Sequence, residues 1–177
     1  GGGVTVAGAE LSWVSLEERF DPIKVSTDES GRFEFPAKQG ALTEAWSAIW
    51  ILHEAHFAEL VVVEPGGDAR AAFGSFLELE EAQGFMALTT ETDGDPLWDV
   101  SVDQRFELGS FLSVDAVITD KEMAEDRARA LFRHTSKSDS SGAALLQPLR
   151  GRSRLAASLG RARSVRWVGP SEGEAVL

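Results

Sequence analysis

The chain has 177 residues, 29 acidic and 17 basic side chains and a net charge of −12; that is the length of one domain, able to bury roughly 70% of its unfolded surface without a disulfide or metal. It contains no cysteine, which excludes disulfides, thiolate nucleophiles and cysteine-ligated zinc and suits a cytoplasmic location. The longest apolar run, Ala48–Leu52, is far short of the ~20 residues of a membrane span, and the glycine-led start lacks the basic and apolar regions of a signal peptide, so no membrane is expected as a partner.

Taken in chain order, Ser15-Leu16-Glu17-Glu18 has the form of a capping box and predicts a short helix over Ser15–Phe20, ended by Pro22. Ile23–Ser26 and Arg32–Phe35 alternate apolar and polar residues around Asp28-Glu29-Ser30-Gly31 and predict a hairpin. In Leu42–Ala55 the residues Leu42, Ala45, Trp46, Ile49 and Leu52 recur at helical spacing, which predicts the main helix; the β-favouring run Trp50-Ile51-Leu52 keeps a strand open as the rival. Phe57–Val63 reads as a buried strand, broken by Pro65-Gly66-Gly67-Asp68. Ser75–Glu80, Phe85–Glu91 and Leu97–Val102 follow with short joints and predict an antiparallel meander. Its alternation places Phe76, Leu77 or Leu79, Phe85, Ala87, Trp98, Val100 and Val102 near the core. Thr119-Asp120-Lys121-Glu122 is a second capping box and opens a helix through about His134.

Thr135–Gly142 (TSKSDSSG) has linker composition, and Ser164–Val168 (SVRWV) reads as a final strand. The expected fold is therefore α+β, a mostly antiparallel sheet of about six or seven strands with two main helices packed on it. Residues 1–134 form the acidic core, 135–142 the flexible linker and 143–177 a basic extension.

The charge is unevenly spread. Residues 1–120 hold 23 acids and 6 bases, whereas 121–177 hold 6 acids and 11 bases. From Glu44 to Glu107 there are fourteen acids and two bases, Arg70 and Arg105. Either the basic tail folds onto the acidic body or the two surfaces meet different partners. Carboxylates on adjacent strands repel one another, and the function that offsets this cost is fast capture of a basic protein. The surface expected to do so comprises Pro65, Gly66, Gly67, Asp68, Glu78, Glu80, Glu81, Glu91, Asp93, Asp95, Asp99 and Asp103.

Other constellations are weaker. His53 and His56 share a face if they lie on a helix, and with Glu59 or Glu64 they could serve a small metal-dependent enzyme, but the spacing is not His-Glu-x-x-His. Asp93, Asp95 and Asp99 lack the order of a calcium loop. No phosphate loop or nucleophile elbow is present, so no cofactor, metal or catalytic residue is expected. Arg150, Arg152, Arg154, Arg161, Arg163 and Arg166, with Trp167, could meet phosphates, though the acidic body opposes a polyanion and nucleic acid is not the expected partner.

The stretch ELGSFLSVDAVITDKEMAEDRARALFRH (Glu107–His134) followed by SVRWV resembles the C-terminal half of bacterial immunity proteins, with Phe132 and Trp167 at matching places over about a third of the chain. That resemblance implies a non-catalytic inhibitor that blocks the active site of a cognate toxin, either a nuclease or an NAD-hydrolysing enzyme. A secretion chaperone or adaptor using an apolar groove is the alternative.

Overall fold

The computed structural model describes residues 5–17, 21–36, 44–68, 73, 77–107, 116–169 and 174–177. The chain divides into two compact units, Gly1–His53, Ala58–Glu80 and Ser110–Leu131 in the first, Glu54–Phe57, Glu81–Gly109 and Phe132–Leu177 in the second.

The first unit is built on strands β1 (Glu10–Ser15), β2 (Ile23–Ser26), β3 (Ser47–His53) and most of β4 (His56–Val63), in the order β2-β1-β3-β4. β1 is the hub: it pairs antiparallel with β2 on one side and β3 on the other. Leu11, Trp13, Ile49, Ile51 and Val63 form the buried cluster, with Phe35, Phe73 and Leu79 packed on it. The Trp13 indole, the largest fully buried side chain, meets its polar need by donating to Ser47 Oγ at 2.9 Å, while its ring takes Phe35 edge-on at 5.1 Å. Helix α1 (Lys121–Leu131) packs against β3. Asp120 caps it, Oδ1 accepting from the Met123 amide at 2.9 Å.

The second unit holds two further sheets. β5 (Phe85–Leu88), β6 (Ser101–Phe106), β7 (His134–Lys137), β8 (Ala143–Leu146), β9 (Ser153–Leu159), β10 (Ala162–Val168) and β11 (Glu174–Val176) are arranged as β10-β9-β6-β7 and β11-β5-β8. All pairs are antiparallel except β5–β11, which is parallel. Val102, Leu155, Ala157 and Val168 from one sheet and Phe85, Ala87, Ala144, Leu146 and Ala175 from the other form one buried cluster. This is a small sandwich in which each sheet contributes alternate residues. Gln104, fully buried on β6, donates to the Gln147 carbonyl at 2.9 Å and accepts from its amide at 3.1 Å, and Gln147 Nε2 donates to the His56 carbonyl at 3.0 Å.

The α+β expectation is overturned. Among the described residues eleven strands form three sheets and α1 is the one helix of seven residues or more, in place of two main helices on a single sheet. The expected helix over Leu42–Ala55 is β3, its following turn and the residues before it; Leu42 lies outside the described residues. Its five leading residues are all buried, and a continuous apolar run satisfies helical spacing by default, so periodicity could not separate the two. Ser15, expected to start a helix, ends β1, and its hydroxyl accepts from the Glu17 amide; Glu18–Phe20 lie outside the described residues. β2 pairs with β1, and Arg32–Phe35 carries no strand, although the Asp28–Gly31 turn forms with Gly31 at φ 72°. No meander forms: residues 77–80 are not a strand, Ser75 and Phe76 lie outside the described residues, and β5 and β6 belong to different sheets. Thr135–Gly142, expected as a linker, contains most of β7 and a tight turn in which Asp139 Oδ1 accepts from the Ser141 and Ala143 amides.

The side chain of Arg127 on α1 is buried and donates from Nη2 to the Ala116 carbonyl at 2.8 Å and from Nη1 to the Leu16 carbonyl at 3.4 Å. A leucine there would leave buried acceptors without donors. Arg127→Leu is expected to lower stability by about 1–3 kcal/mol, measured by urea denaturation.

Candidate functional site

The site is the loop between β5 and β6, residues 89–100, and it lies wholly in the second unit. Its outer part is a turn in which the Glu91 amide donates to the Asp95 carbonyl at 2.8 Å and the Gly94 amide to the Glu91 carbonyl at 3.0 Å. Gly94 takes the positive φ (96°) that this geometry needs. Glu91, Asp93 and Asp95 all project into solvent from this one turn, and no ion pair to them is present among the described residues.

Beneath the turn the loop is tightly braced. Thr89 is buried; its amide donates to the Gly142 carbonyl at 2.9 Å, its carbonyl accepts from the Leu97 amide at 2.8 Å, and its hydroxyl lies 2.7 Å from the Leu97 carbonyl and 3.1 Å from that of Gly142. Ser138 grips the other limb. Its hydroxyl donates to the Leu97 carbonyl and accepts from the Val100 amide, and its backbone exchanges bonds with Asp99 and Val100 at 3.0 Å. Between these clamps Trp98 stands 71% exposed. Asp99, next in the chain, sits at φ 59°, the left-handed region that only glycine enters without cost.

This backbone reversal explains why simple alternation misplaces Trp98. Alternation puts Trp98, Val100 and Val102 on one face, and Val100 and Val102 are indeed buried. The left-handed residue at Asp99 breaks the pleat, so the parity that holds for the valines fails one step earlier. No residue-type pattern signals this; the turn ending at Pro96 merely runs on further than its Gly-Asp-Pro signature.

The other residues expected to form the acidic surface fall into separate places. Pro65, Gly66, Gly67 and Asp68 form the turn after β4 in the first unit, with Gly66 at φ 74° and the Gly67 amide donating to the Glu64 carbonyl at 2.8 Å. Glu78 and Glu80 are exposed in the same unit; Glu81 is exposed in the second and bridges antiparallel to His56. Asp99 pairs with Lys137 at 2.6 Å. Asp103 is gripped by Arg105 at 3.0 Å and by Arg133. Among the described residues the chain's own cations thus engage Asp99 and Asp103, and the turn brings Glu91, Asp93 and Asp95 together.

Burial acts to raise the Asp103 carboxyl, but hydrogen bonds from Arg133 and then Arg105 outweigh it and hold the group below its usual range. Asp28 and Asp139 are held low by serine hydroxyls and backbone amides. His53 ends β3 and His56 begins β4 on either side of the Glu54-Ala55 turn, so the helical face they were expected to share does not exist. No three His, Asp or Glu among the described residues are grouped as a metal would require. Of the arginine stretch, Arg150 lies over the Phe57 ring at 5.7 Å and Arg152 pairs with Glu107 at 3.0 Å. No described helix is long and apolar enough to cross a membrane.

Two outcomes follow. Gly142 has φ 79°, and a Cβ there would lie 2.6 Å from the Thr89 carbonyl oxygen and 3.1 Å from Pro96 Cβ. Gly142→Ala is expected to cost about 1–3 kcal/mol and to speed amide exchange across residues 89–100. Secondly, because the folded-state pKa of Asp103 is lowered, its contribution is present above the unfolded value of about 3.9 and is lost as pH falls through the lower folded value. Thermal melts from about pH 5 to pH 2 should show stability falling on acidification, and the fall should be shallower in Asp103→Asn.

No protein-family model and no curated protein matches the chain. Among solved structures, the Bacillus anthracis TIE protein aligns over 97% of this chain with a TM-score of 0.35 and 10% identity; the chain spans 30% of the length of that protein. A score of this size is too low to transfer either architecture or role.

Proposed function

We propose that the chain is a non-catalytic inhibitor of immunity type, which captures a basic protein toxin domain through the 89–100 loop and covers its active site. The carrying observation is the exposed Trp98 held on a braced loop beside the exposed carboxylates Glu91, Asp93 and Asp95, which have no ion pair among the described residues. A large aromatic ring supplies buried area at little entropic cost and is the commonest anchor of protein interfaces. The surrounding negative field accelerates encounter with a positive cleft. Bracing by Thr89 and Ser138 means that little order remains to be imposed on binding. This surface is narrower than the twelve residues expected from the sequence, since Asp99 and Asp103 are engaged internally and Pro65–Asp68, Glu78 and Glu80 belong to the other unit.

The test is co-expression with the product of the gene directly upstream of this chain in its source genome. A one-to-one complex that protects the host is expected. Trp98→Ala should raise Kd at least about thirtyfold, the effect of losing roughly 2 kcal/mol at an anchor. Reversing Glu91, Asp93 and Asp95 to Lys should slow association about tenfold or more and flatten its salt dependence. If neither change alters on-rate or protection, the loop is not the contact; if no complex forms, the immunity reading fails.

A further inference from the structure

A second surface of the second unit has the opposite charge. Strand β10 is the edge of sheet β10-β9-β6-β7, and its residues 162–167 are all exposed. The register sets Trp167 opposite Arg154, Val165 opposite Ala156 and Arg163 opposite Ser158, so these six share the face turned away from the buried cluster of Leu155, Ala157 and Val168. Val165 is 49% and Trp167 45% exposed on that face. The hairpin 153–168 carries Arg154, Arg161, Arg163 and Arg166 and no acid. Arg166 donates to the Val176 carbonyl at 3.1 Å; among the described residues Arg154, Arg161 and Arg163 have no ion pair.

We propose that the edge of β10 takes up an extended, carboxylate-bearing protein segment as an additional strand. An edge strand offers unpaired amides and carbonyls in register with an incoming chain, and Val165 and Trp167 give that chain an apolar strip to cover. The arginines choose between occupants. Edge-to-edge pairing of two copies would bring two acid-free arginine hairpins together, a like-charge contact that opposes association. A strand with carboxylates is drawn to Arg161 and Arg163. Single-stranded nucleic acid meets the charge but not the edge, because it has no backbone amides to pair, and Trp167 is the single aromatic ring among the face residues set by the β9–β10 register.

The experiment uses the full chain with a fluorescein-labelled peptide of alternating Glu and Val as probe. Saturable binding by anisotropy is expected, with slowed exchange of the β10 amides. R161E/R163E, both at exposed positions, should weaken it about tenfold or more. The same peptide N-methylated at alternate residues keeps its charge but loses its pairing edge, and should not bind the unaltered protein. Trp98→Ala should leave this binding unchanged, which separates the outcome from that of the 89–100 loop. The proposal is overturned if the peptide does not bind, if the N-methylated peptide binds equally well, if oligodeoxythymidylate binds in its place, or if sedimentation shows the chain pairing with itself through β10.

Discussion

Two buried hydroxyls, those of Thr89 and Ser138, fasten the limbs of a loop whose outer half would otherwise repel itself. Three carboxylates close together on one turn raise the free energy of any compact arrangement. What keeps the turn in one shape is the set of bonds from Thr89 to Gly142 and Leu97 and from Ser138 to Leu97, Asp99 and Val100. These bonds are made beneath the surface, where competition from water is weakest. The loop can therefore present charge and an aromatic ring outward while its backbone needs are met inward.

The negative charge is also sorted by position. Where acids sit on or beside the strands of the β6 sheet, the chain supplies its own counter-ions: Lys137 for Asp99, Arg105 and Arg133 for Asp103, Arg152 for Glu107. Where they sit on the 91–95 turn, no such pair is present among the described residues. The net charge of the chain is thus a poor guide to its surface, since one sheet carries a basic edge at β10 and an internally neutralised strand at β6.

Much that was legible in the sequence was local. Turns at Asp28–Gly31, Pro65–Asp68 and Asp93–Asp95 were read correctly because glycine at positive φ and aspartate leave a direct chemical signature. The strands at 57–63 and 164–168 and the helix after Thr119 were found as well, though the first is mostly half-buried, the second is followed by β11, the cap is Asp120 and the helix stops at Leu131. Pairing was not legible: β1 with β3, β6 with β9 and β5 with the distant β8 and β11 are long-range choices that no local residue pattern encodes. The run Ser47–His53 was assigned wrongly because an uninterrupted apolar segment fits either period. For the site, the acidic turn was visible and its anchor was not, since one left-handed residue reverses the direction of Trp98.

The parallel pairing of β11 with β5 reaches the base of the loop. The Leu177 amide donates to the Leu88 carbonyl at 2.8 Å, and the Leu177 carbonyl accepts from the Thr90 amide at 3.3 Å. A segment made far later by the ribosome thus closes the frame around residue 89. During synthesis the 89–100 segment is exposed as a nascent chain well before residues 174–177 emerge, and until then its base lacks a flanking strand. The braced shape of this loop is therefore completed late in biogenesis, and trimming a few residues from that strand would loosen the loop without touching it.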